Sequence, residues 1–201
     1  MLDPFYPVVP SVEWVARLAP AGARFIQLRI KDRSQEEVRR QVRDAQAICL
    51  KHGAQLVVND HWQVAIDEKC PWVHLGQEDL IVADVKAIRR AGLLLGVSTH
   101  DHAELEKALA VDPDYVAVGP IWPTQLKKMP WAPQGLERIG EWKRLVGARP
   151  LVAIGGLTLD RALLCLKAGA DSAAVVGDIV NNADPVAQAK KWIAATRKEA
   201  A

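Results

Sequence analysis

The 201-residue chain lacks any apolar run approaching the roughly eighteen residues that a membrane-crossing helix needs. It also lacks an excess of either charge: 26 Lys and Arg stand against 24 Asp and Glu, a formal +2. So even a balance gives no field for sequence-independent nucleic-acid binding, which requires a clustered basic surface. Cysteine is scarce. Cys49, Cys70 and Cys165 form an odd set at wide spacings, without a C-x-x-C pair for zinc or redox work. Cys49 and Cys165 fall on apolar helix faces and read as small buried hydrophobes. The opening Met1-Leu2-Asp3-Pro4 has neither the basic nor the apolar region of a secretory signal. These absences argue against a membrane protein, a nucleic-acid scaffold and a secreted disulfide module, and the expected compartment is the reducing cytoplasm.

What is present is a repeated unit, a short apolar run followed by an amphipathic helical pattern. The runs are 5–9, 25–30, 56–58, 73–75, 94–97, 115–118, 151–154 and 172–176. Val, Ile and Leu without alternation suit parallel strands buried on both faces. The helices between them carry start and stop signals. Ser34 and Glu37 read as a capping box, with Gly53 closing that helix, and Asp101 with Glu104 offers the same reciprocal cap. Asp184-Pro185 places an N-cap before proline at the first helical position, and Thr158 opens a helix that stops by Gly169. Trp14, Trp142 and Trp192 sit at helical positions and read as packing against the sheet.

Eight such units of about 24 residues imply a compact (β/α)₈ barrel, a single domain over 1–201, shorter than the ~250 residues usual for that fold. The competing architecture is a doubly wound open sheet. That fold usually carries a glycine-rich turn after its first strand, where this chain has Val9-Pro10-Ser11.

In a barrel the functional residues stand on the loops after the strands, and there the polar residues of this chain concentrate. They are Gln27 to Lys31, Asn59-Asp60, Gly76 to Asp79, Ser98-Thr99-His100, the long stretch 119–128, Gly155-Gly156 and Gly177-Asp178. Asp60 and Asp79 leave successive strands, and two carboxylates with substrate phosphates are a common way to hold Mg²⁺. Arg29, Lys31 and Lys127 supply bidentate and point-charge contacts for a polyphosphate. Gly155-Gly156 and Gly177 bring bare amides to the ends of strands seven and eight, the habitual phosphate site of this fold. The layout suits two phosphorylated small molecules, neither nucleic acid nor membrane. Asn-Asp and Gly-Gly are also ordinary turns. His74, Gln77 and His100 at strand ends, and Trp122 beside the long loop, serve either the site or the loops that frame it.

The set Q-L-R-x-K, N-D, V-H-L-G-Q-E-D, G-V-S-T-H, G-P-x-x-P-T-x-x-K and A-I-G-G, in this order, closely resembles the thiamine-phosphate synthase family over nearly the whole chain. The resemblance implies a (β/α)₈ enzyme, with Mg²⁺, that joins hydroxymethylpyrimidine diphosphate to a thiazole phosphate. Thiamine phosphate and pyrophosphate would leave, after dissociative loss of the diphosphate. It further implies that Gln27, Arg29, Lys31, Asn59, Ser98 and Lys127 hold the pyrimidine diphosphate, and that Asp60 and Asp79 hold the metal. Thr124, Gln125, Leu126, Gly156, Val176 and Gly177 would lie on the thiazole-phosphate side.

Two positions depart from the family pattern. Its T-x-T-K loop reads Thr124-Gln125-Leu126-Lys127 here, and its serine after strand eight is Gly177. A lost hydrogen bond to a charged group is worth ~1.5–3 kcal/mol, so weakened or altered thiazole-phosphate recognition is expected. Two alternative functions compete with this one. A thiazole tautomerase, a related barrel, has no use for the full Arg29, Lys31, Asp60, Asp79 and Lys127 set. A non-catalytic pyrimidine-diphosphate binding protein would keep the pocket without turnover. The apolar outer helices allow a monomer or a homodimer.

Overall fold

The computed structural model describes residues 2–124 and 131–199. Its strands are β1 (Phe5–Val9), β2 (Phe25–Leu28), β3 (Gln55–Asn59), β4 (Trp72–Leu75), β5 (Leu94–Thr99), β6 (Tyr115–Val118), β7 (Leu151–Ile154) and β8 (Ser172–Val175). All neighbours pair in parallel, and β1 closes on β8 through Phe5↔Ala173, Tyr6↔Ala174 and Pro7↔Val175. That closing pair is what an open doubly wound sheet does not have. The expected barrel is the fold.

The apolar runs conceal a period of two. Tyr6, Val8, Phe25, Val57, Trp72, Tyr115, Ala117, Val152 and Ala174 pack together as one buried cluster inside the barrel. Their chain neighbours Phe5, Ile26, Val58, Val73, Val116 and Leu151 join a second core that includes the inner faces of the helices. Both faces are dry, so the strands read as continuous hydrophobic stretches. Phe25 meets Trp72 edge-on at 5.2 Å, and Tyr6 lies 4.5 Å from Phe25, so a few large rings fill the interior.

Among the described residues the helices number ten, where eight were expected. They are α1 (Val12–Leu18), α2 (Gln35–Lys51), α3 (Trp62–Asp67), α4 (Gln77–Val82), α5 (Val85–Arg90), α6 (His102–Ala110), α7 (Gly135–Val146), α8 (Leu159–Lys167), α9 (Gly177–Val180) and α10 (Pro185–Glu199). One extra helix arises because Ala83 is extended (φ −76°, ψ 138°), which ends α4, and Asp84 then caps α5 by accepting from Ala87 N at 2.9 Å. The other is the single turn α9 between β8 and the Asp184 cap, which accepts from Ala187 N at 3.0 Å.

The capping boxes form only in half. Ser34 accepts from Glu37 N at 3.2 Å, but the Glu37 carboxylate is drawn to Arg40 and Gln41 instead of returning to the cap. Asp101 accepts from Glu104 N at 2.9 Å, while Glu104 accepts from the amide of His100, one residue before the expected position. Gly53 takes a left-handed φ of 66° past the end of α2, as expected of a stop signal. Trp142 and Trp192 are fully buried between helices and barrel, and Trp14 is half-buried. All three cysteines are free and buried, and burial pushes their thiols up to about 12. No described helix is long and apolar enough to cross a membrane.

Candidate active site

The site begins where β3 ends. Asp60 takes a left-handed φ of 63°, a conformation that aspartate tolerates better than most residues. This turn lets Asp60 N donate to His74 O at 2.9 Å, and Asp60 O accept from Trp62 N at 2.8 Å as α3 starts. The carboxylate is thereby set above the barrel mouth. Lys31, three residues past β2, donates to Asp60 Oδ2 at 2.5 Å. Asp79, in the first turn of α4, is close enough for its carboxylate to interact with that of Asp60. The two carboxylates expected to share one cation thus lie within electrostatic reach of each other.

Their acidities diverge. Burial disfavours the charged form of Asp60, but the Lys31 hydrogen bond and charge outweigh it and hold its carboxyl below the usual range. Asp79 has burial and the neighbouring Asp60 charge against it, so its carboxyl lies above that range. Without a cation the Asp60 charge therefore favours keeping a proton on Asp79. A divalent ion is the natural replacement for that proton, and two carboxylates with open positions fit Mg²⁺ better than a soft metal. Among the described residues no group of three or more His, Cys, Asp or Glu side chains is gathered for a metal. Arg29 lies just past β2, half-buried, and its guanidinium makes no ion pair among the described residues.

Beneath these charges the upper barrel interior is polar. Gln27, Asn59 and His74 are buried on inward positions of β2, β3 and β4, in register through Asn59↔His74. Gln27 Nε2 donates to Tyr6 Oη at 2.7 Å, Tyr6 Oη lies 2.8 Å from Tyr115 Oη, and Tyr115 Oη lies 2.7 Å from His74 Nδ1. His74 Nε2 then stands 2.7 Å from Ser98 Oγ on β5. Burial pushes the His74 imidazole down to about 4, the Asp60 charge offsetting only part of the effect, so the ring is neutral. Gln77 supports rather than faces the site: its amide donates to Ser98 O at 2.7 Å.

The far side of the rim is made of backbone. Gly155 and Gly156 have φ of 105° and 63°, which a side chain resists. A Cβ on Gly155 would approach Pro120 Cα to 2.6 Å, and one on Gly156 would approach Trp122 Cβ to 2.9 Å. The glycines thus let the loop after β6 settle on the end of β7, where Ile121 N donates to Ile154 O and Trp122 N to Gly155 O. The Gly156 and Gly177 amides donate to no backbone carbonyl among the described residues, so they remain available as anion donors. Val176 precedes α9 and packs against the interior cluster, and Thr124 is half-buried near the loop. Gln125, Leu126 and Lys127 lie outside the described residues.

His100 and Trp122 are each held by a neighbouring side chain. His100 Nδ1 is 2.6 Å from Glu104 Oε2, and its ring stacks on Trp131 at 4.0 Å and 11°. Arg161 donates to Gly156 O at 2.7 Å and lies 5.4 Å over the Trp122 ring. The sequence assigns no place in the site to Tyr6, Tyr115, Glu104 or Arg161. A signal existed for the first two: they are the chain's only tyrosines, and both belong to apolar runs at inward positions. Glu104 was read only as a cap, and nothing local marked Arg161.

Comparison with known proteins shows the family. A family model described as thiamine monophosphate synthase matches residues 5–179. The thiamine-phosphate synthase of Rhizobium etli is 60% identical over 195 residues, covering 97% of this chain and 96% of that protein. That of Cronobacter sakazakii is 50% identical over 193 residues, covering 96% and 89%. The solved structure of a thiamine phosphate pyrophosphorylase from Pyrococcus furiosus superposes with a TM-score of 0.87 at 26% identity, covering 99% and 98%.

Proposed function

Because the chain belongs to the thiamine monophosphate synthase family, we propose that it condenses hydroxymethylpyrimidine diphosphate with a thiazole phosphate, releasing pyrophosphate. The observation that carries this reading is the joining of Lys31, Asp60 and Asp79 above the polar floor of Gln27, Asn59, His74 and Ser98. Across the mouth from them stand the free amides of Gly156 and Gly177. One side suits a diphosphate with its countercharges, the other a single phosphate.

In the proposed reaction the bond between the pyrimidine methylene carbon and the diphosphate oxygen breaks first, and the electron pair leaves with the oxygen. The lone pair of the thiazole nitrogen then forms the new C–N bond. Arg29 and Lys31 neutralise the negative charge that grows on the departing diphosphate, a stabilisation worth most where water is excluded. Ser98 donates a hydrogen bond to the same group, while Gln27 and Asn59 fix the pyrimidine edge. Lys127 has the family role of a further cation at the diphosphate. Mg²⁺, held by Asp60 and Asp79, would add Lewis-acid neutralisation of the leaving group. The Gly156 and Gly177 amides, with Val176 and Thr124, seat the thiazole phosphate so that its nitrogen faces the carbon. Trp122, held under Arg161, covers the loop side and limits hydrolysis of the cationic intermediate. Leu126 in place of a hydroxyl residue weakens the hold on the thiazole phosphate, so Leu126→Thr should lower its Michaelis constant.

The decisive experiment is a coupled pyrophosphate assay with each substrate alone and with both, with and without Mg²⁺. Release that needs both substrates and Mg²⁺, and is abolished in Asp60→Ala, supports the reading. Isomerisation of a carboxythiazole phosphate without pyrophosphate release, or full turnover in Asp60→Ala, would overturn it.

A further inference from the structure

The buried chain from Gln27 to Ser98 contains three residues that the proposed reaction leaves without a task. We propose that Tyr6, Tyr115 and His74 are positioning residues that act through Ser98, forming a one-directional hydrogen-bond chain that fixes which atom Gln27 and Ser98 each present to the rim. The inference rests on the reading of the β2–β5 side as a diphosphate site.

The geometry leaves little freedom. Four successive contacts of 2.7, 2.8, 2.7 and 2.7 Å join five side chains from β2, β1, β6, β4 and β5. Each inner member is a group that both donates and accepts, and burial keeps both phenols protonated. The site is also built to hold them. Tyr115 lies against Gly96, where any Cβ would overlap its ring, and it stacks on His74 at 5.5 Å and 16°. Gln77 fixes the backbone of Ser98 from the opposite side.

Such a chain can point only two ways, since each hydrogen is spent once. The Gln27 amide nitrogen donates into Tyr6 Oη, so the Tyr6 hydrogen passes to Tyr115 and the Tyr115 hydrogen to His74 Nδ1. A neutral imidazole that accepts on Nδ1 carries its hydrogen on Nε2 and gives it to Ser98 Oγ. The Ser98 hydroxyl hydrogen is then free for an anion, and the Gln27 carbonyl oxygen is the amide atom left to accept from an amino group. Reversal would turn Ser98 Oγ toward the anion as a lone pair, which is repulsive. Both ends of one substrate, the amino edge of the ring and the diphosphate, are thus matched by a single internal orientation.

The first test uses the unliganded wild-type protein. With ¹⁵N-labelled histidine, the His74 resonance, identified by its loss in His74→Gln, is expected as the neutral Nε2–H tautomer. An Nδ1–H tautomer would overturn the chain whether or not the protein has the proposed activity. The second is a double-mutant cycle. Tyr115→Phe keeps the ring and removes the link, and kcat/KM for the pyrimidine diphosphate is expected to fall ~10-fold, with the Michaelis constant for thiazole phosphate unchanged. In a Ser98→Ala background the same substitution should cost less than ~3-fold. Equal losses in the two backgrounds would refute action through Ser98. Tyr6→Phe, one step further away, should give the same pattern at smaller size, and additivity there would count equally against it.

Discussion

Between β2 and β5 the rim of the barrel is built from side chains, Lys31, Asp60, Asp79 and Ser98, whereas between β6 and β8 it is built from backbone around Gly155, Gly156 and Gly177. The first region concentrates charge and hydrogen-bonding side chains on rigid strand ends. The second offers amides whose exposure depends on how a loop is seated. A side chain over the barrel mouth can be altered with little consequence for packing, because the strand beneath it is held by its neighbours. A glycine at a left-handed, crowded position cannot, because its missing Cβ is what lets the loop dock. Function and stability should therefore separate on one side of the rim and stay fused on the other.

The strongest separation is expected in Asp60→Asn. Removing the charge that Lys31 and Asp79 are arranged around should lower kcat/KM for the pyrimidine diphosphate by ~10³-fold, about 4 kcal/mol in the transition state. The melting temperature should stay near that of the parent. A variant that melts much earlier would show that the pair is structural and erase the contrast.

Next in size is an acid effect from the floor of the same region. His74 is held down to about 4 by burial, whereas an imidazole in the unfolded chain titrates near 6.5. As pH falls the unfolded chain takes up the proton first, so the contribution is complete above about pH 6.5. It is lost progressively toward pH 4, to a total of about 3 kcal/mol. Urea titrations between pH 7 and 4 in metal-free buffer should show this decline, and His74→Gln should flatten it. A wild-type profile without that decline would mean that the ring accepts a proton in place.

On the backbone side, Gly156→Ala places a Cβ at φ 63° against Pro123 and Trp122. It should destabilise the fold by about 2 kcal/mol and raise the Michaelis constant for thiazole phosphate in the same protein. Selective loss of affinity at parental stability would break the claim that the two are fused here. The smallest effect is expected from Arg161→Ala, which removes a hydrogen bond to Gly156 O and the cover on Trp122. About 1 kcal/mol, seen in the thiazole-phosphate constant and not in the pyrimidine one, is the anticipated result.

The ease with which the two regions can be read from the chain differs as well. Lys31, Asp60 and Asp79 stand out because charged residues directly after apolar strands have few structural reasons to be there. Gly155-Gly156 is legible as a turn or a phosphate-binding stretch, but not as the seat of Pro120 to Pro123, which lie over thirty positions earlier. The strand positions were legible to within two residues, because parallel strands buried on both faces leave unbroken apolar runs. Helix ends were less so: the break at Ala83 and the diversion of Glu37 to Arg40 arise from competition among local partners that a capping pattern does not rank.

The 201 residues by themselves pointed to eight βα units, enough for a compact barrel, and set the order in which polar groups arrive at its rim. The tertiary structure alone decided which of them touch. Tyr6 and Tyr115 are 109 positions apart and stand 2.8 Å apart across the interior. Lys31 reaches Asp60 over 29 positions, and His74 takes up its place between Tyr115 and Ser98. The reason is geometric: closing β1 on β8 sets one register for the whole barrel, and inward neighbours follow from that register rather than from distance along the chain.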